Sequence, residues 1–210
     1  MGSVFAIVVV KGLFGGIGKN FANPAITARI MMLIAFTGTM TAFTAPLSPD
    51  LASTDTPLEA LKAMGTELPS LKDMFLGIRG GSLGETCAPA LLIGGIYLIF
   101  RGIISWTTPV CYIGTVFVLS LIYGGMDFAL YQVLAGGLIL GAFFMATDYS
   151  TTPSRPWGKV IFGIGCGIIT AAIRFYGSYP EGVSFSILLM NIITPYIDKW
   201  TRPTPIGGNK

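Results

Sequence analysis

The sequence predicts an all-α integral membrane protein, and three observations carry that prediction. Of 210 residues, 52% are hydrophobic and only 11% are charged, against roughly 45–50% and about 25% in an average soluble domain. Mean hydropathy is +0.72. The apolar residues gather in six stretches, each near the roughly 20 residues that cross a bilayer core as helix. The 28 glycines suit the same solvent, because small residues let membrane helices approach closely.

The stretches lie at about 26–45, 87–101, 104–123, 126–147, 160–176 and 183–198. The second and the last two are short, so tilt or flanking residues make up the length. SVFAIVVV at 3–10 precedes them. It is too short to span alone, lacks the basic start and cleavage site of a signal peptide, and reads as the tail of a helix whose beginning is missing. The chain therefore divides into a Gly-rich segment with a partial helix (1–25), a first span (26–45), a polar loop (46–86), a five-helix bundle (87–198) and a tail (199–210).

Charge orients these elements. With the start of the chain in the cytoplasm, that side collects Lys11, Lys19, Arg29, Arg101, Arg155, Lys159, Lys199, Arg202 and Lys210, nine of the 13 basic residues. Lys62, Lys72, Arg79 and Arg174 fall opposite. The positive-inside rule thus predicts a cytoplasmic C-terminus and an extracytoplasmic 46–86 loop. Scattered single cations among apolar segments argue against nucleic-acid binding.

Three segments interrupt the helical pattern: KGLFGGIGKNFANPA (11–25), IRGGSLGETCAPA (78–90) and RFYGSYPEGVSF (174–185). Non-helical backbone at membrane depth survives only where protein buries it or a cavity hydrates it, so these are candidates for broken or re-entrant helices around a site. Ordinary interfacial loops are the alternative.

Several chemistries are excluded. The chain has no histidine, and Cys87, Cys111 and Cys166 stand far apart without CxxC or CxH pairing, so haem held by His, a zinc site or a complete iron–sulfur site within this chain is not expected, a cluster shared with another subunit being the alternative. FGGIG at 14–18 lacks the GxGxxG order of a dinucleotide fingerprint. No paired carboxylates, Ser/His/Asp set or Walker motif supports hydrolysis or group transfer, and no catalytic residue is expected.

The polar loop differs. DLASTDTPL (50–58) sets the hydroxyls of Ser53, Thr54 and Thr56 beside Asp50 and Asp55, and Pro57 biases Thr56 toward extended, accessible backbone. The plainer reading is a helix start: Thr56 as N-cap, Pro57 at N1 and Glu59 at N3 form a capping box. Asp148 in FFMATDYSTTP and Arg174 in AAIRFYG are candidates for an ion path, since an ionisable residue in or near a span is a functional candidate. Capping by Asp148 and snorkelling of Arg174 to the external interface are the alternatives, the second being the expectation.

GSVFAIVVVKGLFGGIGKNFANPA, GGSLGETCAPALLIGGIYLI, FFMATDYSTTP and GSYPEGVSFSILLMNIITPYID occur in the order of the recurring segments of one family. The chain resembles the D subunit of the Rnf ion-translocating ferredoxin:NAD+ oxidoreductase and its relative, the B subunit of the Na+-translocating NADH:quinone reductase. The resemblance implies a membrane electron-transfer subunit of a redox-driven translocase that couples electron flow to Na+ or H+ transport and is not catalytic alone. It implies FMN bound through a phosphoester to threonine within D-x-x-S-G-A-T. Asp50, Ser53 and Thr56 match that motif, Pro57 and Leu58 resemble its Rnf continuation, and Thr54 and Asp55 stand where the motif has Gly and Ala. The cofactor would thus sit on Thr56, with Arg79, Ser82 and Glu85 near RGGSLGE as candidates to line its pocket or, more plainly, to cap the next helix. A second, non-covalent flavin is compatible with the same resemblance.

The resemblance further implies the inner membrane as location, Rnf subunits A, B, C, E and G as partners, and a flavin transferase for maturation. It makes this chain the C-terminal two-thirds of a roughly ten-helix fold with inverted repeats, the first part of which is absent. Two other function classes stay open: a cofactor-free scaffold or ion-path subunit, which the residues at Thr54 and Asp55 favour, and a small secondary transporter, which would have no use for an external S-x-x-T-P-L.

Overall fold

A computed structural model describes residues 1–14, 16, 21–43, 56–62, 68–82, 84–177 and 181–203. All regular structure among them is helical. The first helix, α1 (Gly2–Gly12), opens as α-helix and continues from Phe5 as π-helix, with Leu13 N donating to Val8 O at 3.1 Å.

Helix α2 (Pro24–Ala35) starts at Asn23, whose side-chain oxygen accepts from Ala25 N at 3.0 Å and Ile26 N at 3.3 Å, with Pro24 preset at the first helical position. Phe36 breaks it, and α3 (Thr37–Met40) follows. The polar loop holds two short helices, α4 (Pro57–Lys62) and α5 (Leu71–Leu76). Helix α5 is capped by Ser70 and stopped by Gly77, whose φ of +94° admits no ordinary side chain.

Helices α6 (Ala88–Phe100), α7 (Thr107–Leu134), α9 (Pro156–Tyr176) and α10 (Val183–Trp200) form the bundle. Two of them, α7 and α9, are long and apolar enough to cross a membrane. Helix α7 is two helical pieces joined at Gly125, whose non-helical backbone (φ +83°, ψ −173°) falls where the stretches expected at 104–123 and 126–147 meet, and the second piece runs to Leu134. The rest of the second stretch is separated by a break at Ala135–Gly137, beyond which α8 (Leu138–Leu140) runs into a π-helical turn, Gly141–Met145. The Gly136-Gly137 pair makes that break possible, Gly136 taking φ +64°.

Close backbone approach sets the α7–α9 contact. A Cβ at Gly163 would lie 2.8 Å from Cys111 Cβ and 3.0 Å from Thr108 O, and one at Gly167 would lie 2.5 Å from Thr115 Cβ. These glycines are four apart, the small-xxx-small spacing of membrane helix pairs. Beside that seam a buried hydroxyl knot joins three helices: Tyr112 Oη lies 2.7 Å from Thr170 Oγ1 and 2.8 Å from Ser186 Oγ. The surrounding core includes Val116, Leu138, Phe162, Cys166 and Ile187. On the other side, α7 leaves Val110, Val118 and Ile122 exposed, as an apolar solvent or partner allows.

The segment that leads into α2 and the turn that follows Gly141–Met145 share one buried amide. With its oxygen turned toward Asn23, Asn191 in the middle of α10 accepts from Asn23 N and donates to Thr151 O, each at 3.2 Å. The N-cap of α2 and the turn after α8 therefore meet inside the bundle. Their backbone groups are satisfied by a side chain, as irregular structure at depth requires.

Candidate functional site

Helix α4 begins with the capping box that the sequence suggests. Thr56 N and Thr56 Oγ1 both donate to Glu59 Oε2 at 2.9 Å, and Glu59 N donates back to Thr56 Oγ1 at 3.4 Å. Pro57 and Leu58 are buried, the latter against Met74 and Ala135. That anchor fixes Thr56 at the wall of a cavity whose apolar side is Leu33, Met40, Phe43 and Pro57. Its polar side is Arg29, Arg79, Ser82, Glu85 and Glu181, with Gly80, Gly81 and Gly136 exposing backbone.

The polar wall is a connected network. Arg29 Nη2 donates to Glu181 Oε1 at 2.7 Å and to Ser82 Oγ at 3.3 Å, and stands 3.5 Å from Glu85 Oε2. Ser82 N donates to Glu85 Oε1 at 3.1 Å, and Arg79 Nη2 donates to Glu85 O at 3.2 Å. Gly137 leaves room for the acids: a Cβ there would meet Glu85 Oε2 at 2.9 Å and Glu181 Oε1 at 3.4 Å. Burial pulls the Arg79 guanidinium below its ordinary value, with Glu85 opposing. Burial pushes the Glu181 carboxyl up; Arg29 pulls it back, and the nearby Glu85 charge pushes again.

Arg79 is only 6% exposed, yet its Nε has no hydrogen-bond partner. Glu85 Oε2 likewise makes no hydrogen bond, and Arg29 reaches it only at ion-pair distance. A buried guanidinium N–H without an acceptor is costly. Arg79 also lines the cavity, and a planar guanidinium recognises anionic and carbonyl oxygens well.

Four residues read from the sequence, Thr56, Arg79, Ser82 and Glu85, thus share one cavity. Asp50 and Ser53 lie outside the described residues. Arg174 does not snorkel: it is 4% exposed and donates to Gln132 O and to Gln132 Oε1 at 3.0 Å from Nη1, and to Ala135 O at 3.2 Å from Nη2. The carbonyls freed where α7 ends supply acceptors at depth, which removes the incentive to reach water. Arg174 backs the cavity through Gly136, where a Cβ would come 3.3 Å from its Nη2. Asp148 stands apart, closing its own turn by accepting from Ser150 Oγ at 3.0 Å and Thr151 Oγ1 at 2.9 Å.

Sequence reasoning missed Arg29 and Glu181 as site residues. It also counted Arg29 with the side opposite the 46–86 loop, whereas Arg29 pairs with Glu85 of that loop and with Glu181. The available signal was a lone cation inside the apolar run PAITARIMMLIA, which calls for a partner at depth.

A model of the NQR2, RnfD, RnfE family matches residues 1–207. The chain belongs to this family. Among relatives, it is 48% identical over 213 residues to the D subunit of a Na+-translocating ferredoxin:NAD+ oxidoreductase complex from Acetobacterium woodii, covering 100% of this chain and 66% of the relative. It is 42% identical over 226 residues to the D subunit of a proton-translocating ferredoxin:NAD+ oxidoreductase complex from Clostridium ljungdahlii, covering 100% and 68%. It is 36% identical over 247 residues to the D subunit of an ion-translocating oxidoreductase complex from Halorhodospira halophila, covering 100% and 69%. The chain thus spans about two thirds of the length of the NQR2, RnfD, RnfE relatives it matches.

Proposed function

We propose that the chain is a membrane electron-transfer subunit of an Rnf-type ferredoxin:NAD+ oxidoreductase, carrying FMN as a phosphoester on Thr56 and coupling electron flow to Na+ or H+ movement. The observation that carries this reading is the placement of Thr56 on a cavity that Arg29 and Arg79 also line. The subunit names of the relatives support its redox-driven, ion-translocating part. FMN, when bound, supplies a ring that accepts and gives up electrons. Arg79 and Ser82 would hold its polar groups, and the Arg29–Glu85–Glu181 network would set the local field. Leu33, Met40, Phe43 and Pro57 would exclude water.

In this reading the protein is multi-pass in the inner membrane, with residues 46–86 extracytoplasmic and the C-terminus cytoplasmic. Moving Arg29 to the external group leaves eight of the 13 basic residues inside, and the bias keeps its sign. A count of six spans belongs to the same reading. So do the partner Rnf subunits, the flavin transferase and roles for Asp148 and Arg174 along an ion path.

A cofactor-free scaffold or ion-path subunit is the second reading, favoured by the engagement of the Thr56 hydroxyl in a complete capping box and by Thr54 and Asp55 at the motif's small positions. Peptide mass spectrometry and in-gel flavin fluorescence of the native complex, wild type against Thr56→Val, separate the two. A flavin-phosphate adduct on the 50–62 peptide, absent from the variant, supports the flavin subunit. Unmodified peptide in an active complex rejects it.

A further inference from the structure

The Thr56 hydroxyl makes its hydrogen bond to a carboxylate: Oγ1 donates to Glu59 Oε2 at 2.9 Å. For capping, an uncharged acceptor would serve, since Gln fills the N3 position as well as Glu. A carboxylate at that distance has a second property: it accepts a proton from the hydroxyl. A threonine hydroxyl is a weak nucleophile until an adjacent base within about 2.6–3.2 Å takes its proton. Glu85 and Glu181 are committed to Arg29, and Glu59 is the acid that touches Thr56 among the described residues.

We infer that Glu59 is the general base for modification of its own chain, accepting the Thr56 proton as Oγ1 attacks phosphorus. The inference rests on the reading that Thr56 carries FMN. Forming a phosphoester from FMN itself would require expelling hydroxide, so the donor must be a flavin dinucleotide, whose diphosphate provides a leaving group. The Oγ1–P bond forms at the flavin-side phosphorus and the bridging P–O bond breaks. Adenosine monophosphate departs, the proton moves to Glu59, and no electron changes hands. Protonation also removes a clash: the new phosphodiester anion arises beside the carboxyl and meets it neutral.

The flavin transferase would then need to bind the dinucleotide and present its phosphorus, while the acceptor segment supplies its own proton acceptor. This dependence makes Glu59 a specificity determinant, since a threonine in a similar loop without a carboxylate three residues on would be a poorer acceptor.

The test uses the complex in membranes from cells without the transferase, to which purified transferase and flavin adenine dinucleotide are added. The initial rate of Thr56 modification is followed by in-gel fluorescence and peptide mass. Glu59→Gln preserves the capping hydrogen bonds but cannot accept the proton, and assembly is checked on native gels. An assembled Glu59→Gln complex slowed about a hundredfold or more supports the role. Modification of Glu59→Gln at the wild-type rate overturns it and leaves the flavin reading intact. Wild type that never takes up flavin overturns both.

Discussion

Arg29 Nη2 stands 2.7 Å from Glu181 Oε1, joining the first turns of α2 to the residue before Gly182 at the start of α10, 152 positions later. Glu85 completes the cluster at 3.5 Å from the same nitrogen. Breaking a fully buried pair from one side costs about 3–5 kcal/mol. With the two side chains 23% and 24% exposed, solvent screening lowers the expected cost of Arg29→Met to roughly 1–3 kcal/mol. Melting of the solubilised complex measures it, and adding Glu181→Gln is expected to recover part of the loss. An Arg29→Met protein as stable as wild type contradicts a structural role for the pair.

Glu181 gives the same cluster a pH dependence. Its carboxyl is raised above the ordinary 4.5 by burial despite Arg29. A group with a raised folded pKa contributes stability that is fully present below its unfolded value and lost as pH rises through the folded one. Wild type should therefore lose melting temperature relative to Glu181→Gln as pH climbs from about 4.5 toward neutrality. Parallel curves for the two proteins would show that the carboxyl titrates normally in the fold.

Packing between α7 and α9 leaves no room for side chains at its glycines. Gly163→Ala would press a methyl against the Thr108 carbonyl at 3.0 Å and Cys111 Cβ at 2.8 Å. The backbone contact cannot rotate away, so a loss of about 1–3 kcal/mol is expected from overpacking. Gly114→Ala serves as the control, since nothing lies within 4 Å of a Cβ there. Equal melting of the two variants would contradict close approach at Gly163.

Much of this architecture was legible in the sequence because the signals were local. Asn23-Pro24 announces the start of α2, Thr56-Pro57-x-Glu59 the start of α4, and the breaks follow clustered Gly and Pro. The contents of the cavity were only partly legible. Arg79, Ser82 and Glu85 sit on one short segment, and Thr56 stood out by its motif. Arg29 and Glu181 join them through a contact between distant segments, which no periodicity encodes. Arg174 was misjudged for a related reason: its acceptors, Gln132 and Ala135, become available only because α7 ends there.

Under the proposed flavin reading, Arg79 would tie the cavity to redox chemistry by its charge. Its Nε is buried and unpartnered, and its remaining described bond, from Nη2 to Glu85 O, leaves the guanidinium beside Gly80 and Gly81 on the cavity wall. A cation held there stabilises negative charge on a reduced ring more than on an oxidised one. With FMN on Thr56, Arg79→Gln should leave the flavin attached while lowering its midpoint potential. A lost charge-assisted hydrogen bond is worth about 1.5–3 kcal/mol, which for a two-electron couple is roughly 30–60 mV. Redox titration of the purified complex by flavin absorbance reads the shift directly. Arg79→Lys should recover only part of it, because an ammonium restores charge without the planar fork. An unchanged potential in Arg79→Gln would place the ring away from this wall, even with the phosphoester intact.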